Sequence, residues 1–298
     1  MSIVNKHSYN VGGLEVNVFS KADLLTTPFQ EPVAVLIVLH GRTGSSGDFE
    51  ETARTAFQWA DEKKTAQPEQ TQRDFIVVTF DQRNHGSRTV EKLGNLSWAK
   101  VPEEHNKTHA VDMYSIQTGT ARDVSFVIDF LPAYVFPNDE RTVAEWVVAG
   151  ISLGGHSTWL TLKNEPRVRV GIPIIGCPDY LALIGFRAKS SGVPLAPPFM
   201  PASLRARIQA DDPVANAFRS LEPGENPFLG KRILVLSGEA DTLVPWIASK
   251  EFVEGLEVGD GKKKVMVMSG VGHEYTKTMM LELFQFFWEE ALLARSKI

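Results

Sequence analysis

The sequence predicts an α/β protein: a mostly parallel central sheet flanked by helices, with a small lid insertion. Three observations carry this. Short apolar runs rich in Val, Ile and Leu recur at residues 33–39, 75–80, 146–149, 170–175, 233–236 and 264–268. Runs that are continuous rather than alternating suit strands buried on both faces. Between them lie stretches with apolar residues at helical spacing. Strands alternating with helices imply parallel strands joined by right-handed crossovers. The alternation then breaks over residues 178–230, which hold eight prolines.

Taken in order, residues 15–19 alternate and read as an edge strand. Residues 33–39 form the first fully buried strand, closed by His40-Gly41-Arg42-Thr43-Gly44. Phe49, Ala53, Ala56, Phe57 and Ala60 repeat at helical spacing. Residues 61–73 are charged and read as a solvated connector. Residues 75–80 are the next strand. The stretch 81–109 has no clear period, and long loops in compact domains are often functional. A helix spans 112–131, with Ile116, Val124, Val127, Ile128 and Leu131 on one side. Pro173 weakens the strand at 170–175, since it cannot donate to a ladder. Residues 178–230 read as a lid, with helical pieces at 203–209 and after Asp212-Pro213, where Pro follows a capping Asp. The core is then 1–177 and 231–298. A final amphipathic helix covers 276–293.

The stretch that organises the chain is Gly150-Ile151-Ser152-Leu153-Gly154-Gly155. A strand precedes it and a helix at 153–163 follows. Strand, sharp turn and helix with Ser at the apex is a nucleophile elbow. Its Ser sits at strained backbone angles, and Cβ atoms on neighbours would clash where strand and helix nearly touch. The turn lifts the Ser152 hydroxyl above the sheet and aims the helix N-terminus at it.

Serine is a poor nucleophile at neutral pH and needs a base held by an acid. In strand–elbow–helix enzymes the chain order is Ser, acid, His. Of seven histidines, only His156 and His273 follow Ser152. His156 lies in the first turn of the elbow helix and points away from the hydroxyl. His273, in Gly270-Val271-Gly272-His273-Glu274, lies past the last strand and is the candidate base. Asp241, in Ser237-Gly238-Glu239-Ala240-Asp241, is the candidate acid, with Asp179 and Glu239 as rivals that could instead be helix caps. A tetrahedral intermediate needs two preorganised donors. The Leu153 amide supplies one, and the Arg42 amide, on the loop after the first buried strand, the other. The Arg42 side chain could also attract an anionic substrate. Apolar residues of the lid, Phe186 and Phe199 among them, and Trp98 from the long loop are candidate substrate contacts.

These pieces, together with Asp81-Gln82-Arg83-Asn84-His85-Gly86 and Thr242-Leu243-Val244-Pro245, occur in one order from residue 33 to the C-terminus. The sequence thereby resembles the α/β-hydrolase superfamily, of the serine esterase and lipase type. Residues 106–137 are similar to fungal members. The resemblance implies an α/β-hydrolase fold, and Arg83 and His85 as braces of the oxyanion loop. The expected activity is hydrolysis of an ester, lactone or thioester of a small apolar acid through Ser152, His273 and Asp241 and an acyl-enzyme. A carbon–carbon bond hydrolase with the same triad, or a ligand-binding protein with little turnover, remain alternatives.

Composition narrows the partners. With 298 residues, 43% hydrophobic, the chain is long enough for one large core. A net charge of −5 argues against nucleic acid as a partner. A single cysteine, Cys177, allows neither an internal disulfide nor a Cys-based metal site, and no cofactor is implied. The N-terminal residues have no apolar signal core, so the sequons at Asn95 and Asn106 are expected to be unused. The longest early apolar run, 33–39, is too short to span a bilayer. The last residues, Ser296-Lys297-Ile298, differ from a peroxisomal Ser-Lys-Leu signal only in the final residue. Such tails occur in some fungal members of the superfamily, and peroxisomal import through a receptor at these residues is expected; otherwise the protein is cytoplasmic.

Overall fold

The computed structural model of the protein describes residues 3–22, 24 and 31–293. Ser296, Lys297 and Ile298, and the import reading placed on them, lie outside the described residues. Among the described residues, eight strands make one sheet: β1 (Val4–Val11), β2 (Leu14–Lys21), β3 (Val33–Leu39), β4 (Phe75–Phe80), β5 (Val143–Ile151), β6 (Val168–Ile174), β7 (Arg232–Gly238) and β8 (Lys262–Met268). Their spatial order is β1-β2-β4-β3-β5-β6-β7-β8. The β1–β2 and β2–β4 pairs are antiparallel, and all other pairs are parallel.

The continuous apolar runs are explained by two cores. Val35, Ile37, Leu39, Ile76, Val78, Val148, Ile233 and Val235 point to one side of the sheet. There they meet α2 (His109–Val135), α3 (Leu153–Asn164) and α6 (Trp246–Gly255). Their sequence neighbours Leu36, Val77, Val147 and Leu234 point to the other side. There they meet α1 (Glu50–Ala66) and α7 (Lys277–Phe287). Because successive strand residues face opposite ways, a strand covered on both faces must be apolar throughout.

Several boundaries shift from expectation. The 15–19 strand is not an edge, because β1 covers it. Only the last of β1's residues is fully buried, so the segment carries no apolar alternation to read. A Gly12-Gly13 turn, both glycines at positive φ, closes that hairpin. Helix α1 runs on through Ala66 into the charged connector, with Lys21 paired to Asp61 and Gln58 to Glu62. Its polar residues are the solvated face of a helix rather than a loop. Pro173 does lie inside β6, and the β6–β7 ladder skips residues 172–173.

Residues 178–230 carry α4 (Tyr180–Ser191) and α5 (Ala202–Asp211). They build a third apolar cluster with the start of α2: Tyr180, Ile184, Met200 and Ile208 pack on Met113, Tyr114 and Trp98. The Tyr180 hydroxyl donates to the Ala110 carbonyl at 2.7 Å. The segment's end returns to the main core through Phe228. Among the described residues no helix is long and apolar enough to cross a membrane.

Candidate active site

The strand order reverses direction about β3 and β5, so the loops leaving these two strands part at their carboxyl ends. Crevices of this kind bind ligands in open α/β sheets. Ser152 stands there, between β5 and α3, at φ 54° and ψ −108°. This is a left-handed conformation that a residue with a Cβ rarely adopts. The surrounding contacts leave no alternative. A Cβ at Gly150 would lie 2.2 Å from the Gly154 carbonyl oxygen, and one at Gly154 would lie 2.3 Å from that of Leu39. One at Gly155 would lie 2.7 Å from the Ile174 carbonyl oxygen. The three glycines are therefore the contact points of β5, β3 and β6 with the start of α3.

Ser152 Oγ lies 2.9 Å from His273 Nε2, and His273 Nδ1 lies 2.7 Å from Asp241 Oδ2. The other oxygen, Oδ1, accepts the amides of Leu243 and Val244, both at 2.8 Å. Burial raises the Asp241 carboxyl, but the bonds from His273, Val244 and Leu243 outweigh it and hold the group below its ordinary value. An ionised carboxylate on Nδ1–H leaves Nε2 free to accept the serine proton. The two loops are held together as well. The Ala240 amide donates to the Val271 carbonyl at 2.9 Å, and a Cβ on Gly238 would lie 2.4 Å from that same oxygen.

The rivals have other duties. Asp179 caps α4, accepting the Ala182 amide at 2.8 Å. Glu239 accepts from the Ser269 hydroxyl at 2.6 Å. His156 is buried, and its Nδ1 accepts the Cys177 amide at 2.8 Å. Burial, with Arg187 nearby, pushes its imidazole down to about 3, so it stays neutral.

The loop after β3 is clamped from below. The Gln82 amide donates to His40 Nε2 at 3.0 Å, so His40 Nδ1–H faces the Gly41 carbonyl oxygen, 2.7 Å away. The Gln82 side-chain amide donates to the His40 carbonyl. Asp81 accepts the Ser46 and Ser87 amides, each at 2.7 Å. Arg83 and Arg88 both pair with Asp123 on α2. The His85 ring packs 5.4 Å from His40. Arg83 is thus tied to α2, and His85 packs on His40 below the loop. Above the clamp, Gly41, Arg42 and Thr43 line a cavity of about 290 Å³ with Ser152, Leu153 and His273. The Leu153 amide is the first of α3, where helical N–H groups have no partner within the helix.

The three aromatic residues expected in the pocket stand elsewhere. Trp98 is 4% exposed, inside the third apolar cluster. Phe199 packs edge-on against it, with ring centroids 6.3 Å apart. Phe186 is 38% exposed and does not line the cavity. The lining instead comes from Met113 and Gln117 of α2, Ile151, Ile175, Leu243 and, unanticipated, Arg187 of α4 and Tyr275. Arg187 occupies the same helical stripe as buried Leu183 and Ile184, four and three residues earlier, whereas Phe186, two residues after Ile184, falls to its side. That spacing was the signal available in the sequence.

A hydroxyl, imidazole and carboxylate in line, at an elbow on this sheet, define the class of an α/β hydrolase. Residues 36–282 match the family model described as alpha/beta hydrolase family, and the chain belongs to that family. A comparison with curated proteins gives no match. Among solved structures, the chain is similar to TT1662 from Thermus thermophilus, with TM-score 0.65 and 20% identity, covering 97% of this chain and 99% of that one. It is also similar to acetyl xylan esterase 1 from Thermoanaerobacterium sp. JW/SL YS485, with TM-score 0.56 and 15% identity over 97% and 88% of the two chains. A third is Est1E from Butyrivibrio proteoclasticus, in a structure with bound ferulic acid, with TM-score 0.55 and 18% identity over 95% and 98%. At these identities the likeness is one of fold.

Proposed function

We propose that the protein is a serine hydrolase that cleaves a carboxylic ester, lactone or thioester through an acyl-enzyme. The observation that carries this reading is the unbroken chain from Asp241 through His273 to Ser152, at 2.7 and 2.9 Å. Ser152 Oγ attacks the carbonyl carbon while its proton passes to His273 Nε2. The carbonyl π electrons move to oxygen, and the Arg42 and Leu153 amides stabilise that charge. Asp241 stabilises the imidazolium and holds its tautomer. The intermediate collapses, the leaving oxygen or sulfur takes the proton from His273, and the acyl group stays on Ser152. Water then attacks, giving its proton to His273; the acid departs as Ser152 Oγ regains it. The segment 178–230 is the lid over this centre, and it keeps the developing charge away from bulk water. The name of acetyl xylan esterase 1 favours ester chemistry for this chain.

A fluorophosphonate probe tests the reading. One equivalent should attach to Ser152 in the folded protein, and Ser152→Ala should abolish labelling. A folded wild-type protein that resists the probe, and leaves 4-nitrophenyl esters intact, would instead be a binding protein.

A further inference from the structure

We propose that the substrate carries a second group, anionic carboxylate or phosphate, held inside the cavity between Arg42 and Arg187. This rests on the serine hydrolase reading above and adds the charge of its substrate.

Both guanidinium groups line the cavity that contains Ser152 and His273. Arg42 comes from the loop after β3 and Arg187 from α4, so the two cations approach from the core and from the lid. Neither forms an ion pair among the described residues. Arg42 Nη1 is buried with no hydrogen-bond partner there. Arg187 reaches only the Leu243 carbonyl, at 3.4 Å from both Nε and Nη2. The carboxylates nearby do not compensate. Asp241 is engaged by His273, and Glu274 stands exposed at the rim.

The remaining polar lining has the same character. Gln117 Nε2 and the Tyr275 hydroxyl are both buried without a partner. Burial raises the Tyr275 hydroxyl, so it stays protonated and able to donate. Burial also lowers Arg187 to about 10, with repulsion from Arg42 in the same direction, yet the group remains charged at neutral pH. Arg42, Gln117 and Tyr275 therefore offer donors without acceptors in one small cavity, and Arg187 has only long contacts to one carbonyl. Leaving a buried charge or donor unmatched is costly. A planar carboxylate or a phosphate satisfies the guanidinium fork with charge-assisted bonds. An apolar acid, as expected from the sequence, would leave all of them unmatched. An anion at this place would also join α4 to the loop after β3, closing lid on core around the substrate.

The test compares three 4-nitrophenyl esters: the half-ester of succinic acid, the neutral ester of succinamic acid, which matches it in size, and the ester of 3-phosphonooxypropanoic acid. Wild-type kcat/KM should favour at least one anionic ester over the neutral one by tenfold or more; which one tells carboxylate from phosphate. Arg187→Met should erase most of that ratio, and Arg187→Lys should keep part of it. In Ser152→Ala, calorimetry should show succinate or inorganic phosphate binding about tenfold more tightly than in the Ser152→Ala, Arg187→Met double variant. Equal turnover of neutral and anionic esters, with a ratio unmoved by Arg187→Met, overturns the proposal while leaving the serine hydrolase reading intact. Anion binding that depends on Arg187, in a protein that resists the fluorophosphonate, keeps the anion site and removes the hydrolase reading.

Discussion

Two walls meet at the cavity around Ser152, and they are built on different principles. The core wall consists of loops leaving strand ends: Arg42 after β3, Ser152 after β5, Asp241 after β7 and His273 after β8. Each is held by backbone contacts that tolerate little change: a Cβ added at Gly154, for instance, would lie 2.3 Å from the Leu39 carbonyl oxygen. The other wall, on the proposed lid, is α4, whose contribution depends on rotation about the helix axis. Leu183, Ile184 and Arg187 share its inward stripe, and Phe186 falls outside it. A strand end determines where a group sits through the sheet. A helix determines it only through its neighbours. Chemistry is therefore expected to reside on the core wall and selectivity on the lid wall.

The largest expected effect tests the core wall. Ser152→Ala should lower kcat by roughly a thousandfold or more, since only binding and the oxyanion donors then remain. Steady-state hydrolysis of an activated ester measures it. A loss below about tenfold would move the nucleophile away from the elbow.

The second comparison sets one carboxylate from each wall side by side. Asp241 and Asp179 follow β7 and β6; the first is buried and the second half-buried. Asp241→Asn should reduce kcat roughly a hundredfold to ten-thousandfold, because the imidazole loses its orienting anion. Asp179→Asn should change it little, since Asn caps a helix about as well as Asp. Their pH dependences have opposite signs. Asp241 has a depressed folded value, so its stabilisation is present above the unfolded value near 4 and lost as pH falls through the folded one. The unfolding free energy of wild type relative to Asp241→Asn should shrink below about pH 4. Burial raises the folded value of Asp179 against the pull of the Ala182 and Leu181 amides. Its ionisation opposes folding as pH rises, so Asp179→Asn should gain on wild type above about pH 4. Urea unfolding at several pH values decides both, and the same sign for the two variants would break the comparison.

The third effect is on stability. Gly154→Ala puts a methyl group into the Leu39 carbonyl, at the junction of α3 and β3. A cost of about 3 kcal/mol is expected, because backbone on both sides must move. Gly192→Ala, at positive φ but with nothing within 4 Å of the added Cβ, should cost clearly less. Equal losses would mean that backbone conformation, and not the close approach, governs the elbow.

Legibility in the sequence follows the same division. The sheet, the elbow and the Ser152–His273–Asp241 alignment could be read because strand ends and glycines restrict the backbone, and the chain order is short. β1 was missed because only Val11 of its residues is fully buried. The charged end of α1 reads as a loop because solvated helix faces and loops share a composition. On the lid and the long loop the reading follows residue type, choosing Phe186, Phe199 and Trp98 for their apolar surface. The structure instead places Trp98 and Phe199 in the cluster under the lid, and it turns Arg187 inward. Nothing in residue type distinguishes those outcomes. Helical spacing from Leu183 and Ile184 does, once the bounds of α4 are known.

The smallest expected effect separates support from selectivity within the lid itself. Phe199 is half-buried and packs on Trp98 and His105, at 6.3 and 6.0 Å between ring centroids. Its removal takes apolar contact from the cluster that seats α4 and α5 on α2. Phe199→Ala should therefore destabilise the fold by about 1–2 kcal/mol, below the range for a fully buried Phe. Phe186, 38% exposed and off the inward stripe, should cost under about 0.5 kcal/mol when changed to Ala. Neither variant should alter the order of preference among esters of different acyl length, because neither ring lines the cavity. Chemical denaturation and a substrate panel measure the two properties independently. Should Phe186→Ala shift acyl-length preference at unchanged stability, the lid would have to close further over Ser152 during turnover. The inward stripe of α4 would then extend beyond Arg187 to the exposed ring.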